Sequence, residues 1–275
     1  MKVVPIPCLS DNYAYLLMCT ETKEGAIIDA SESDPVLRAI EDGPLAAESR
    51  RDVGSASRED MRFVAILSTH HHPDHVGGNE EVKAKLGIER VYGYASDRGR
   101  IPGQTEFLED GQTFTIGSLL IRAIHIPGHT LGAVAYVVTR EPHDPIVFTG
   151  DTMFLGGCGR IFEGDPPMMH ASLSKLAKLE GRTRVYCGHE YTESNLRFAA
   201  HVEPSNRAVV DARTRASALR KAGRPTVPAT IAEELTYNPF LRTTSPEIRK
   251  TLAIPDTASG AETLGAIRKA KDGFK

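Results

Sequence analysis

Residues 69–75 read Thr-His-His-His-Pro-Asp-His, and they directly follow the apolar run Phe-Val-Ala-Ile-Leu-Ser at 63–68. An apolar run of this length is typical of a strand that is buried on both faces. His71 lies between two histidines and should point away from them. The other four side chains of the kinds that bind metals therefore stand within six positions, where a buried strand ends. Loops on a rigid scaffold are where binding and catalytic residues concentrate, so the stretch predicts a metal site at this end of the strand.

The spacing inside this loop predicts two groups of ligands. His70 and His72 are two apart, so their side chains point to the same side of an extended backbone. Pro73 then forces a turn, which re-aims Asp74 and His75. One short loop can therefore offer two side chains to one ion and two to a neighbouring ion.

Three later segments repeat the pattern of an apolar strand, a glycine and one His or Asp. The residues concerned are His129 in Pro-Gly-His-Thr, Asp151 in Thr-Gly-Asp-Thr and His189 in Gly-His-Glu. Each segment alone is unremarkable, but together with the first loop they supply five His and two Asp. That inventory is enough for two ions, held mainly by imidazole and with one carboxylate between them. Zinc, iron and manganese all suit such mixed nitrogen and oxygen ligands, and zinc is the one we expect.

Composition excludes several other classes of protein. The 275 residues carry a formal net charge of −3 and contain no Trp, with only 6% aromatic residues, which disfavours nucleic-acid binding. The four cysteines form no Cys-x-x-Cys pair, which favours reduced thiols in a cytosolic enzyme. The first residues resemble neither a signal peptide nor a membrane span, so we expect a soluble, cytoplasmic protein.

The pattern of turns and apolar runs predicts an α+β fold with two mixed sheets and helices outside them. Predicted strands cover 3–6, 13–18, 26–29, 63–68, 113–116, 119–126, 133–138, 146–149 and 185–187. Predicted helices cover 35–42, 78–86, 168–179, 194–202, 208–221, 229–235 and 261–270. After residue 190 all the predicted elements are helices, and this change predicts domains at 1–190 and 191–275. Residues 43–62 are predicted to form a polar surface insertion.

The order of the ligand candidates along the chain resembles that of the metallo-β-lactamase superfamily. These candidates are His70, His72, Asp74, His75, His129, Asp151 and His189. Narrower motifs resemble the glyoxalase II family of hydroxyacylglutathione hydrolases. They are Asp-Asn-Tyr-Ala-Tyr at 11–15, Phe-Thr-Gly-Asp-Thr-Met-Phe at 148–154, Gly-Cys-Gly-Arg-Ile-Phe-Glu-Gly at 157–164, Cys-Gly-His-Glu-Tyr-Thr at 187–192, Asn-Pro-Phe-Leu-Arg at 238–242 and the last nine residues, 267–275. This resemblance implies an αββα sandwich at 1–190 and a helical glutathione-binding domain at 191–275.

The resemblance also implies a role for each ligand. His70, His72 and His129 would hold one ion, Asp74, His75 and His189 would hold the other, and Asp151 would bridge them. Asp74 and Asp151 would act in catalysis with a hydroxide that bridges the ions, because metal binding lowers the pKa of water to about 7.

Five further residues correspond to glutathione contacts of the family: Arg160, Phe162, Tyr191, Arg268 and Lys271. Phe162 stands where a tyrosine is common, which removes one hydroxyl contact to the tripeptide. The expected reaction is hydrolysis of S-D-lactoylglutathione to glutathione and D-lactate, the second step of methylglyoxal detoxification. The expected partner is this small molecule alone, without nucleic acid or membrane, and the expected state is a monomer.

Other functions remain open on the sequence. A lactonase, a β-lactamase or another thioesterase would use the same metals with a different pocket. A glutathione-persulfide dioxygenase would need a single iron, whereas this chain retains a second set of ligands. A nuclease would need strong, salt-dependent affinity for RNA. A metal-stabilised binding module would show two closed coordination shells.

Overall fold

The computed structural model describes residues 1–41 and 61–274. The predicted insertion at 43–62 falls outside these residues except for its last two positions. The described chain forms two compact units. Unit 1 comprises residues 1–125 and 134–144, and unit 2 comprises residues 126–133 and 145–275. The predicted domain boundary near residue 190 stays a prediction.

Unit 1 contains a mixed six-stranded sheet in the order β1-β2-β3-β4-β5-β6. Its strands are β1 (Lys2–Cys8), β2 (Asn12–Cys19), β3 (Glu24–Ile28), β4 (Arg62–Leu67), β5 (Arg90–Tyr94) and β6 (Glu106–Leu108). The first three pair antiparallel, and β3 to β6 pair parallel. Because β3, β4 and β5 run in the same direction, their carboxyl ends lie at one edge of the sheet, where ligand sites are usually built.

Helices and a strand meander complete unit 1. The helices are α1 (Ser33–Glu41), α2 (Pro73–Val76) and α3 (Asn79–Leu86), and the meander consists of β7 (Thr113–Ile116), β8 (Leu119–His125) and β9 (Val134–Thr139). A buried apolar cluster that includes Ile27, Ile66 and Val91 from three neighbouring strands forms the core. These β-branched residues suit a pleated, buried surface, so the ends of the strands are rigidly placed.

Unit 2 is mainly helical. Its strands are β10 (Ile146–Gly150), β11 (Met153–Phe154), β12 (Gly157–Cys158), β13 (Arg184–Cys187) and β14 (Ala229–Thr230). Its helices are α4 (Pro166–Ala177), α5 (Thr192–Val202), α6 (Arg207–Lys221), α7 (Ile231–Tyr237), α8 (Pro246–Thr251) and α9 (Gly260–Asp272). β10 and β13 pair parallel, whereas β14 pairs antiparallel with β13.

Local signals explain where these helices begin. Capping boxes start α7 and α9, formed by Thr230 with Glu233 and by Ser259 with Glu262. Asp165 caps α4, and Pro166 occupies its first turn, where the missing N–H costs nothing. N-terminal capping residues therefore support the helices that the sequence predicts after residue 190.

All nine predicted strands and all seven predicted helices are present, with ends that differ by a few residues. The sequence analysis missed β5, β6, β11, β12, β14, α2 and α8. These elements are short, and β5 carries a glycine in the middle, so periodicity gave little signal. Among the described residues, no helix combines the length and the apolar character needed to cross a bilayer.

Candidate metal centre

In unit 1 the predicted ligand loop begins where β4 ends. The backbone N–H of Ser68 still donates to Tyr92 O of β5 (2.9 Å), and Thr69 O accepts from Val134 N (2.9 Å). The backbone is thus hydrogen-bonded up to the residue before His70. His70 and His75 are almost fully buried, at 1% and 0% exposure, so their imidazoles lie in a defined environment.

Asp29, the residue after β3, orients this loop. Its Oδ1 accepts from Thr69 N, and its Oδ2 accepts from the Thr69 hydroxyl, both at 2.7 Å. Oδ2 also lies 3.0 Å from Nδ1 of His75. Asp29 has a positive φ of 48°, a conformation that Asp tolerates better than most residues. One buried carboxylate therefore links the beginning and the end of the ligand loop.

These hydrogen bonds decide which imidazole nitrogen carries the lone pair. A carboxylate oxygen accepts, so Nδ1 of His75 carries the proton and Nε2 presents the lone pair. The hydroxyl of Thr69 donates its single proton to Asp29. Its oxygen therefore accepts from Nδ1 of His70, at 3.1 Å. His70 therefore also presents Nε2. Such second-shell partners are the usual way of fixing metal-binding histidines.

The four ligand candidates of unit 1 form two close pairs. Nε2 of His70 lies 3.1 Å from Nδ1 of His72, and Nε2 of His75 lies 3.5 Å from Oδ2 of Asp74. Pro73 begins α2, which turns the chain between the pairs. These distances are compatible with the two groups of ligands that the sequence predicts on this loop.

In unit 2, Asp151 and His189 meet because they follow parallel neighbouring strands. Asp151 comes directly after β10, and His189 comes two residues after the end of β13. Nε2 of His189 lies 3.2 Å from Oδ2 of Asp151, and Nε2 of His129 lies 3.6 Å from the same oxygen. One carboxylate oxygen is therefore within reach of two imidazoles, as a bridging ligand requires.

A backbone carbonyl orients the imidazole of His129. Its Nδ1 lies 2.8 Å from the carbonyl oxygen of Arg160, which can only accept, so Nε2 again presents the lone pair. Gly159 makes this approach possible. A Cβ at Gly159 would lie 2.0 Å from Asp151 O and 3.0 Å from Nδ1 of His129, which leaves no room for a side chain.

The donor set fits divalent metal ions in chemistry and in spacing. Two ligands about 2.0–2.1 Å from one tetrahedral ion lie roughly 3.3 Å from each other. The four donor–donor distances within the units range from 3.1 to 3.6 Å. The chain thus carries His/Asp clusters suited to binding a dinuclear metal site.

Comparison with known proteins agrees with this chemistry. The model of the metallo-β-lactamase superfamily matches residues 11–189, and the model of the hydroxyacylglutathione hydrolase C-terminus matches residues 190–274. A hydroxyacylglutathione hydrolase of Methylococcus capsulatus is 42% identical over 275 residues, which cover 100% of this chain and 99% of that protein. The chain belongs to the hydroxyacylglutathione hydrolase family.

Two further comparisons support the family assignment and the fold. A relative from Arabidopsis thaliana, named a cytoplasmic hydroxyacylglutathione hydrolase, is 38% identical over 278 residues and covers both chains completely. The crystal structure of the BLEG-1 B3 metallo-β-lactamase superposes with a TM-score of 0.62 at 24% identity, over 88% of this chain and 100% of that one. The predicted metallo-β-lactamase fold with a helical C-terminal region is therefore confirmed.

Three of the five residues that correspond to glutathione contacts of the family meet at the end of α9. Asp272 Oδ1 lies 3.0 Å from Nη2 of Arg268 and 3.5 Å from Nε of Arg160. Arg268 is only 8% exposed and donates from Nη1 to Cys158 O at 2.7 Å, so it also links α9 to the end of β12. Burial, followed by the charges of Arg268 and Arg197, lowers the pKa of Lys271 to about 8.

The other two family positions are aromatic, and each packs on a ligand imidazole within unit 2. The ring of Tyr191 stacks on His189 with centroids 4.7 Å apart. The ring of Phe162 meets His129 edge-on at 5.2 Å, and Phe162 is 62% exposed. An exposed phenyl group beside a metal-ligand candidate is placed to contact a bound molecule.

The thiols of unit 2 are unsuited to act as nucleophiles in a thioesterase of this family. Burial raises the pKa of Cys158 to about 11 and that of Cys187 to about 12. A thiol attacks as its thiolate, so neither residue is reactive near neutral pH.

The sequence analysis missed three residues that shape the candidate site: Asp29, Gly159 and Asp272. Asp29 shows the same signal that singled out Asp151, a carboxylate at the end of an apolar strand, but it was included in the predicted strand 26–29. Gly159 lies inside a motif quoted for the family, yet its close approach to Asp151 becomes visible only in three dimensions. Asp272 also lies inside a quoted motif, but an acidic residue four positions after an arginine is common on solvated helices and does not indicate a site.

Proposed function

We propose that the protein hydrolyses S-D-lactoylglutathione, and related 2-hydroxyacyl glutathione thioesters, to glutathione and the free acid. The observation that carries the proposal is the set of oriented imidazoles: His70, His75 and His129 are each hydrogen-bonded at Nδ1 and present Nε2. Membership of the hydroxyacylglutathione hydrolase family indicates that the substrate is a glutathione thioester.

We propose that the two clusters together hold two divalent ions. His70, His72 and His129 bind one ion, Asp74, His75 and His189 bind the other, and Asp151 binds both. The ligand types accept zinc, iron or manganese, with zinc expected first. When bound, the ions supply a water that is activated near neutral pH and an electrophile for the thioester carbonyl.

The residues of the chain fix the geometry in which this happens. Asp29 and Thr69 hold the imidazoles of unit 1, and the carbonyl of Arg160 holds His129. Asn12 donates to the backbone carbonyl and to Oδ2 of Asp74, both at 3.0 Å, which holds that carboxylate in place. We therefore assign the catalytic carboxylates as Asp74 and Asp151. Preorganised groups of this kind need no rearrangement during the reaction.

Binding of the tripeptide is assigned to Arg160, Phe162, Tyr191, Arg268 and Lys271. Glutathione carries two carboxylates at neutral pH, and guanidinium and ammonium groups suit them. The departing thiolate is a weak base compared with an amine, so no general acid has to protonate it. None of the four cysteines, all within the described residues, forms a disulfide, which suits a reducing compartment, and the Arabidopsis relative is named cytoplasmic.

The test is direct hydrolysis by protein loaded with zinc, iron or manganese. The loaded protein should consume S-D-lactoylglutathione, and Asp151→Ala should lose both activity and metal content. Asp256→Ala, a change of an exposed aspartate, is the matched control and should retain both. Metal-loaded wild-type protein that leaves the thioester intact would contradict the proposal.

A further inference from the structure

A groove of about 590 Å³ lies in unit 2 along helices α5 and α6, outside the set of residues assigned above. Its lining residues are Glu190, Glu193, Ser194, Arg197, Val210, Arg213, Thr214 and Ser217. Binding sites for small molecules typically enclose about 300–1,000 Å³, so the groove is large enough for an amino-acid group.

Helix packing explains why the groove exists. Leu196 and Ala199 of α5 pack with Ala212 and Ala216 of α6 in a buried apolar cluster. The small side chains on α6 bring the two helices close together along this line. The residues next to the buried positions then form two facing polar edges.

Each helix contributes a regular stripe to the groove. Glu193 and Arg197 are four apart on α5, which places them on one face of the helix. On α6 the stripe consists of positions 210, 213, 214 and 217, the spacing of a single helical face. A guanidinium group therefore stands on each side, Arg197 on α5 and Arg213 on α6.

Arg197 and Arg213 are exposed cations of the groove. Neither Arg197 nor Arg213 forms a salt bridge with another residue of the part of the chain that the structure describes, and both are exposed. Glu190, by contrast, is engaged by the backbone and hydroxyl of Thr226, at 2.8 and 2.7 Å. Two cations and the carboxylate of Glu193 are thus left facing solvent in one groove.

The groove adjoins a residue that we assign to glutathione binding. Ser194, which lines the groove, accepts from Lys271 Nζ with its backbone carbonyl (3.3 Å) and its hydroxyl (3.1 Å). Arg197 lies one turn further along α5 and is close enough to contribute to the lowered pKa of Lys271. The cationic groups therefore continue from Lys271 into the groove.

We propose that this groove binds the γ-glutamyl end of the glutathione thioester. Its α-carboxylate contacts Arg197 and Arg213, and its α-ammonium contacts Glu193. The other end of the tripeptide offers only a carboxylate, so a groove with both cations and an anion matches the amino-acid end better. Charge-assisted hydrogen bonds of guanidinium to carboxylate supply the recognition. This inference rests on the proposed thioesterase activity and identifies a specificity site for it.

The experiment compares two thioesters, S-D-lactoylglutathione and S-D-lactoyl-N-acetyl-cysteinylglycine, in which an acetyl group replaces the γ-glutamyl group. Wild-type protein should favour the glutathione ester in kcat/KM by roughly tenfold or more, the size expected for an exposed charge-assisted contact. Arg213→Gln and Arg197→Gln should each raise KM for the glutathione ester about fivefold, with kcat unchanged. Neither change should affect the N-acetyl-cysteinylglycine ester.

Arg207→Gln is the matched control, because Arg207 is an exposed arginine of α6 that is not among the lining residues and pairs with Asp211. It should leave both thioesters unaffected. The inference is overturned if the groove variants slow both esters equally, or if they slow neither. Wild-type protein that hydrolyses neither ester would instead overturn the proposed function itself, so the two failures are distinct.

Discussion

The two ligand clusters, one in each compact unit, are built in opposite ways. In unit 1 the ligands lie within six positions of one loop, and a side chain, the carboxylate of Asp29, orients that loop. In unit 2 the ligands are separated by tens of residues and come from different loops, and a backbone carbonyl orients His129. A motif search therefore finds the first cluster directly, whereas the second depends on the fold to assemble it.

This difference determines how each cluster can be damaged. A side-chain partner can be removed by substitution, so unit 1 is sensitive at Asp29. A backbone carbonyl cannot be removed in this way, so the Arg160 side chain is dispensable for holding His129. Unit 2 is instead sensitive to crowding, because its backbone segments approach each other closely at Gly159.

The largest effect is expected from Gly159→Ala, which should disrupt the cluster of unit 2. The added Cβ would lie 2.0 Å from Asp151 O, a rigid backbone atom, so the ligands must move. A displacement of about 1 Å at reacting groups can cost around 100-fold in rate, and we expect at least that loss in kcat/KM. Gly273→Ala is the control, because its Cβ would meet nothing closer than 3.8 Å. Full activity of Gly159→Ala would show that unit 2 is not constrained in this way.

Asp29→Asn should weaken metal binding through unit 1. Asn tolerates the positive φ at this position, so the backbone is retained, while the carboxylate that accepts from Thr69 and His75 is lost. Removing a partner of this kind typically lowers metal affinity about 10–100-fold. Competition with a chelator measures the change, and the exposed Asp34→Asn is the control. Unaltered affinity in Asp29→Asn would mean that the loop is oriented by something other than this carboxylate.

The pH dependence of KM tests substrate binding while both clusters stay intact. Lys271 is charged below its pKa of about 8 and neutral above it. KM for the anionic thioester should therefore rise as pH increases from 7 to 9, by up to about tenfold, the value of one charge-assisted contact. Lys271→Gln should have a higher KM at pH 7 and a flatter profile. A wild-type KM that stays constant over this range contradicts a role for the charge of Lys271.

The smallest effect is expected from Phe162→Tyr. Phe162 is 62% exposed beside His129, so a hydroxyl on its ring can be accommodated and can contact the tripeptide. One solvent-accessible neutral hydrogen bond contributes about 0.5–1 kcal/mol, which corresponds to a KM roughly threefold lower. Phe162→Leu is the comparison variant and should not lower KM. An unchanged KM in Phe162→Tyr would place the ring away from the polar groups of the substrate.

The same contrast explains how much the sequence could predict. Apolar runs located every long strand, and the order of His and Asp after them identified seven ligand candidates and the family. The role of Asp29 was hidden because its strand-end position was assigned to the strand itself. Gly159 and Asp272 act through contacts between segments distant in sequence, which periodicity and spacing do not encode. Periodicity and spacing do not reveal the groove along α5 and α6 either, because its arginines appear in the sequence as an ordinary run of solvated charges.

The proposed function requires that two ions share the carboxylate of Asp151. Electron paramagnetic resonance of protein loaded with two equivalents of Mn²⁺ tests it directly, because two Mn²⁺ ions that share a carboxylate are magnetically coupled. We predict a coupled spectrum with hyperfine lines more closely spaced than those of an isolated ion, and its loss in Asp151→Ala. A spectrum of two independent Mn²⁺ ions, unaffected by Asp151→Ala, would contradict the account.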